Sequence, residues 1–315
     1  FIMAKEKMYS LAIRKRLNEV DHFWEHDDYT FAEVSIDDCG KYWFADPFVY
    51  EKDGVTYLFY EAFDLVQQKG LIGYSVFNQL TGEGSAPTII IDEPFHLSFP
   101  NIFEYAGDIY IMPESCEDYT LHIYKATSFP DKWERVYDIL PDVYACDSIF
   151  ISKENKQYLL TNELYHHTPT GTYPSCWVKN FLYPLNGLKI QGDGIKVGDG
   201  EFGIRNAGKS FEIDGTLYRI GQDCRNRMYG CGLVLFEVTS LIPYNESLKL
   251  SLTYKDFATK IERRDKRELI GVHTYNFCEH YEIIDFSQMK DLSLKILISR
   301  FYFRFKRLMR RLSKL

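Results

Sequence analysis

Along most of this chain, apolar and polar residues alternate with the period of a strand. In residues 44–61, FADPFVYEKDGVTYLFYE, an apolar run passes through Val49 and Tyr50, breaks at Asp53-Gly54 and resumes at Val55. Two β-branched and aromatic runs around a Lys-Asp-Gly turn predict a β-hairpin. The hairpin recurs. Counting from Pro47, Gly54 lies at +7, Tyr57 at +10 and Glu61 at +14. Gly107, Tyr110 and Glu114 take the same places counted from Pro100, as do Asn155, Tyr158 and Asn162 from Ser148, and Gly215, Tyr218 and Gln222 from Gly208. A shorter fifth copy, HTYNFCEHYEIID, opens at His273, and successive starts are 53, 48, 60 and 65 residues apart. Strand chemistry repeated at such periods predicts an all-β fold, a five-bladed β-propeller. The residue types at +7 tolerate the positive φ that a tight hairpin turn needs.

Between the hairpins the pattern supplies the remaining strands. Residues 69–77 and 87–93 complete the first unit, and 119–127 and 133–140 the second. The short apolar run 8–14, MYSLAIR, is expected to close the ring by completing the last blade. Residues 15–43 read as charged and irregular, 165–176 as a long polar loop of blade three, and the Gly-rich 188–205 as a candidate lid. The charged segment 254–270 reads as a surface connection of helical character. His166-His167 is a weak metal candidate, because adjacent strand residues face opposite ways, and no metal is expected.

The tail breaks the strand rhythm. Leu294, Ile298, Phe301, Phe305, Leu308, Leu312 and Leu315 recur at alternating spacings of 4 and 3, with Arg300, Arg304, Arg307, Arg311 and Lys314 beside them. This predicts an amphipathic basic helix over 291–315, following a propeller of residues 1–290. Such a helix suits an anionic membrane surface, with cations at the phosphates.

Charge sharpens this division. The chain carries −8 overall, yet residues 291–315 carry +7, which leaves −15 on the rest. An acidic body argues against nucleic acid as a partner. Seven scattered cysteines without a Cys-x-x-Cys pair argue for reduced thiols and a cytoplasmic setting. The first 17 residues lack a signal peptide's apolar core, and no run of 18 apolar residues occurs. Aromatic residues make up 16% of the chain, which suits both strands and a sugar-contacting surface.

Candidate chemistry follows from the repeat. In a propeller the inner strands surround a funnel, and the residue at −1 is Asp46, Phe99, Asp147 and Ala207 in the four long copies. Asp46 and Asp147 therefore face one axis, with Glu61, Glu114, Gln222, Asp223 and His273 near it and Asn101 beside the second start. GQDCRNRMYG offers Arg225 and Arg227, which with Arg205 suit phosphate oxygens.

FADPFV, YLFYE, LSFPNIFEYAGDIYIMPES, RNAGKSFEIDGTLYRIGQD and GVHTYN resemble, over residues 40–285, the propeller found at the N-terminus of plant glucosamine inositolphosphorylceramide transferases and in bacterial polysaccharide-locus proteins. That domain in turn resembles the five-bladed fold of arabinanases, xylosidases and other furanosidase-type hydrolases. The resemblance implies that Asp46 matches the hydrolase base and Asp147 the sugar-holding, pKa-tuning Asp. The hydrolases' general acid, a Glu on blade four, has no counterpart in Asn206-Ala207-Gly208, and Glu114, Glu201 and Asp223 are the carboxylates that could replace it. Hydrolysis needs an acid for its alkoxide leaving group, whereas a phosphate-linked donor departs without one. The expectation is therefore a peripheral glycosyltransferase of bacterial surface-polysaccharide or glycolipid assembly (capsule or lipopolysaccharide) on the inner face of the cytoplasmic membrane. It would use a nucleotide-sugar or lipid-phosphate-sugar donor and a glycan acceptor. The alternatives are a glycoside hydrolase or phosphorylase, or a non-catalytic glycan-binding module.

Overall fold

Each repeat of the sequence becomes one blade, and five sheets make up the body of this computed structural model, which describes residues 4–164 and 176–312. Blade one runs outward through Tyr42–Lys52, Val55–Asp64, Lys69–Asn78 and Thr88–Ile91, and blade two through Ser98–Tyr105, Asp108–Glu114, Thr120–Ser128 and Lys132–Pro141. Blades three and four follow the same order. The hairpin turns explain why the repeat is so regular. Gly54, Gly107, Asn155 and Gly215 have φ of 75°, 84°, 61° and 76°, and Asp53, Ala106, Glu154 and Asp214 before them have φ of 49–53°. Two successive positive φ values give the primed turn whose twist matches the flanking strands.

Blade five closes the ring. Lys5–Lys15 pairs antiparallel with Tyr281–Asp291 along its whole length, from Lys5 opposite Asp291 to Lys15 opposite Tyr281. Joining the first and last strands in one sheet leaves no open seam. The core lies between blades: Phe48, Phe59, Phe99, Ile111, Ile149 and Leu160 are fully buried in the largest apolar cluster. Each such side chain stabilises the fold by roughly 1.5–3 kcal/mol relative to exposure.

Three segments differ from the sequence reading. Residues 188–205 are not a lid. Ile195–Gly200 is the outer strand of blade three, paired with Val178–Asn186, and Phe202–Asn206 is the inner strand of blade four. Gly200 and Gly203, with φ of 136° and 70°, let the chain turn from an outer edge toward the axis. Residues 254–270 form turns and a short strand, Ile261–Glu262, which pairs in parallel with Phe31–Glu33. The open edge of blade five captured a segment whose charge suggested a helix, and Phe257 is buried there, 5.6 Å from Phe23. Residues 15–43 are accordingly only partly irregular, since Phe23 and Phe31 belong to that core. His166, His167 and nearly all of the 165–176 loop lie outside the described residues.

The tail is a helix, Leu294–Leu312. No described helix is long and apolar enough to cross a membrane.

Candidate functional site

The funnel residues are aimed by one local device, repeated three times. In blade one, Ala45 pairs with Glu61 and Phe48 with Phe59, so two residues, Asp46 and Pro47, oppose one. In blade two the pairs Ser98–Glu114 and Asn101–Met112 enclose the same extra residue, and in blade three the pairs Cys146–Asn162 and Ile149–Leu160 do so. These are β-bulges, which kink a strand and redirect a side chain. The −1 residues Asp46, Phe99 and Asp147 take φ of 51°, 46° and 41° there. Left-handed backbone costs a non-glycine residue about 1–3 kcal/mol, and funnel carboxylates help offset it. Asp285 Oδ2 accepts the Asp46 N–H at 2.9 Å, Asp46 Oδ2 that of Phe99 at 3.2 Å, and Glu114 Oε2 that of Asp147 at 3.2 Å. Blade four departs from the pattern: its positive φ falls at Gly203, and Arg205 turns into the funnel instead of a carboxylate.

Two charged clusters result. On blades one and five, His273 Nδ1 lies 2.8 Å from Asp285 Oδ1, and its Nε2 lies 3.2 Å from Asp46 Oδ1. Burial pushes the Asp46 carboxyl well above the usual carboxylate range, and neighbouring Glu61 and Asp285 add to the effect. Burial, together with Glu114, raises Glu61 likewise. Burial also opposes the charge on Asp285, but His273, the Asp46 N–H and the Thr274 hydroxyl outweigh it and hold Asp285 low. On blades two to four, Arg205 pairs with Asp147 through Nε and with Glu114 at 3.4 Å. Burial raises the Asp147 carboxyl to about 8; Arg205 opposes this and Glu114 reinforces it. Two carboxylates share one guanidinium, so the cluster retains a proton near neutrality. The Tyr229 ring joins the clusters, 5.3 Å from the His273 ring and 4.9 Å from the Arg205 guanidinium.

The other expected site residues divide by position. Asn101 Nδ2 donates to the Ser148 carbonyl at 3.2 Å, and Gln222 Nε2 to the Asn206 carbonyl at 2.9 Å, so both amides join strands of the inner ring. Asp223 is buried, held by Arg225 at 2.7 Å. Arg225 and Arg227 are exposed on the turn after Asp223. Asp46, His273 and Asp285 place three potential ligand atoms within 4.8 Å of one another, as do Glu114, Cys116 and Cys146. Asp285 already accepts from His273, Thr274 and the Asp46 N–H, so Asp46 and His273 Nε2 are the groups of the first trio left to reach an ion.

Sequence reasoning missed several funnel residues. Asp285 ends the fifth copy as Glu61 and Glu114 end the strands of the first two, but the shorter hairpin hid the match. Tyr9 comes from the closing strand; its ring is 4.7 Å from His273 and 5.3 Å from Trp43, and its buried hydroxyl has no hydrogen-bond partner among the described residues. Lys7 Nζ donates to the Tyr229 carbonyl at 2.9 Å, and burial lowers its pKa. Strand alternation places Lys7 and Tyr9 on one face, but only ring closure sets that face toward the axis.

Five blades around buried acids, an imidazole and aromatic rings define a fold of the carbohydrate-active propeller class. A thermostable family-43 glycoside hydrolase superposes with a TM-score of 0.54 at 10% identity, covering 83% of this chain and 92% of that one. An α-L-arabinofuranosidase of Podospora anserina gives 0.55 at 10% identity, covering 82% and 96%. Residues 28–266 match the family described as glucosamine inositolphosphorylceramide transferase 1, N-terminal, and the chain belongs to that family. It is 32% identical over 240 residues to glucosamine inositolphosphorylceramide transferase 1 of Arabidopsis thaliana, and 31% identical over 199 residues to its counterpart in Oryza sativa subsp. japonica. The aligned regions span 74% and 62% of this chain but only 30% and 26% of those relatives.

Proposed function

We propose that the funnel binds a glycan end and cleaves its glycosidic bond, as a furanosidase-type glycoside hydrolase whose acid has moved off blade four. The observation that carries this reading is the pairing of a proton-holding carboxyl, Asp147, with an acid–imidazole pair, Asp46 and His273, on different blades of one funnel. Burial raises both carboxyls, but they differ in what stands beside them, an imidazole at Asp46 and a guanidinium at Asp147, and such a difference in surroundings is what lets one act as base and the other as acid. Water attacks the anomeric carbon and gives its proton to Asp46 as the new carbon–oxygen bond forms. The bond to the leaving oxygen breaks as that oxygen takes the Asp147 proton. After each turnover Asp46 passes its new proton through His273 Nε2 to solvent, with Asp285 stabilising the transient imidazolium, and Asp147 regains a proton from solvent, so the cycle returns to its starting state. Glu114 and Arg205 tune Asp147.

A second reading, sugar transfer from a phosphate-linked donor, is favoured by one specific feature. Blade four offers Arg205 where an acid would stand, and Arg225 and Arg227 lie on the next turn of the same blade. The relatives' printed name, a transferase, agrees with it. Bacterial surface-polysaccharide assembly is the setting proposed for either reaction.

The two separate in one experiment, in which a glycan panel is incubated first with no activated donor and then with a nucleotide sugar. Release of reducing sugar is expected, slowed about 10²–10⁴-fold by Asp46→Asn, the usual weight of a general base. Donor consumption without sugar release selects transfer. Glycan binding with neither reaction selects a binding module.

A further inference from the structure

The C-terminal helix carries an apolar seam that the propeller does not cover. The helix is rooted by Ile296, buried with Met8, Leu65 and Leu292 and with Trp43 packed against them. Arg300 is buried beside it, donating from Nε to the Leu65 carbonyl and pairing with Glu6. Arg304 reaches Gln68. Arg300 is thus turned inward, not toward an outer phosphate as the sequence rhythm suggested. At 3.6 residues per turn, this rooting sends Leu294, Ile298, Phe301, Phe305 and Leu308 to the opposite side. They are 71%, 59%, 75%, 51% and 53% exposed.

We propose that this seam lies in the interface of an anionic lipid bilayer. The helix sequence, LKILISRFYFRFKRLMRRL, contains no Asp or Glu. Lys295 and Lys306 flank the seam on one side and Arg304 on the other, the arrangement of a helix that seats rings among acyl chains and cations at phosphates. Charge complementarity decides between occupants, because a second copy laid on the seam would bring the same cations against these. The helix is too polar to cross a membrane, so it lies in the membrane plane.

The location gives this docking a consequence. The helix root meets the 64–69 turn, at the strand end that pairs Tyr42 with Asp64, whereas the Asp53-Gly54 turn lies at the far end. Asp46 is four residues from Tyr42 on that strand. Trp43, packed at the helix root, is 5.3 Å from the Tyr9 ring, which is 4.7 Å from His273. A helix seated on a bilayer therefore sets the strand end nearest Asp46 beside the headgroups.

Flotation of the purified 315-residue chain with vesicles of phosphatidylglycerol and phosphatidylcholine, against phosphatidylcholine alone, tests the docking. Co-flotation with the anionic vesicles only is expected. Phe301→Glu/Phe305→Glu should cut it on the order of tenfold or more with an unchanged melting temperature, since both rings are exposed. Failure to float, or equal binding to neutral vesicles, overturns the proposal. So does a dimer in light scattering that the same double variant dissolves. The experiment needs no sugar: vesicle binding without sugar release would sink the hydrolase reading alone, and sugar release without vesicle binding would sink the docking alone.

Discussion

The two charged clusters of the funnel are built from similar acids and differ in what answers them. Asp46 and Asp285 face an imidazole, a group that exists in both neutral and charged forms. Asp147 and Glu114 face a guanidinium, which stays charged. The first cluster can therefore change its charge during a reaction, while the second holds a constant cation and one movable proton. One inner-ring scaffold yields a proton-trading wall and a fixed-charge wall, and the difference is set by one residue on each, His273 and Arg205.

The sharpest way to break this comparison is to remove each counter-charge. Arg205→Met leaves two buried carboxyls unanswered and should cost about 3–5 kcal/mol in denaturant unfolding. Asp147→Asn with Glu114→Gln in the same chain should recover part of that loss. His273→Gln should cost less, about 1–3 kcal/mol, because Asp46 can keep its own proton. Equal losses at the two sites would remove the distinction.

A pH series sharpens it next. The Asp147 carboxyl binds its proton up to about pH 8, well above the usual carboxylate value. Across that interval the folded chain holds a proton that the unfolded chain has lost, so this group's contribution to stability declines as pH rises and levels off above about 8. If Asp147 is the acid, sugar release should fall through the same point. A rate that stays level past it would show that the proton comes from elsewhere.

The smallest effect belongs to Tyr9. Its buried hydroxyl has no hydrogen-bond partner among the described residues, so Tyr9→Phe should leave stability unchanged or slightly higher, within about 0.5 kcal/mol. A fall in glycan affinity in that variant, measured by calorimetry, would mark the hydroxyl as a sugar contact on the proton-trading wall. Unchanged affinity would make it a spacer.

Local pattern determined a great deal. The alternation, the turn residues at Gly54, Gly107, Asn155 and Gly215, and the recurrence of Asp46 and Asp147 just before each start announced five blades and two of the funnel acids. These features are legible because hairpin turns and strand faces depend on residues a few positions apart. The spacing of the tail likewise announced a helix. Tertiary structure alone decided the rest. It turned Arg205 across to Asp147 and Glu114, brought Tyr9 and Lys7 from the chain's first strand into the last blade, and set His273 between Asp46 and Asp285. It also drew 254–270 into a sheet edge and turned Arg300 inward. Those outcomes depend on contacts between residues hundreds of positions apart, such as the bond from the Asp46 N–H to Asp285 across 239 positions and the pairing of Arg300 with Glu6 across 294. No local periodicity encodes such contacts, because they exist only once the ring has closed.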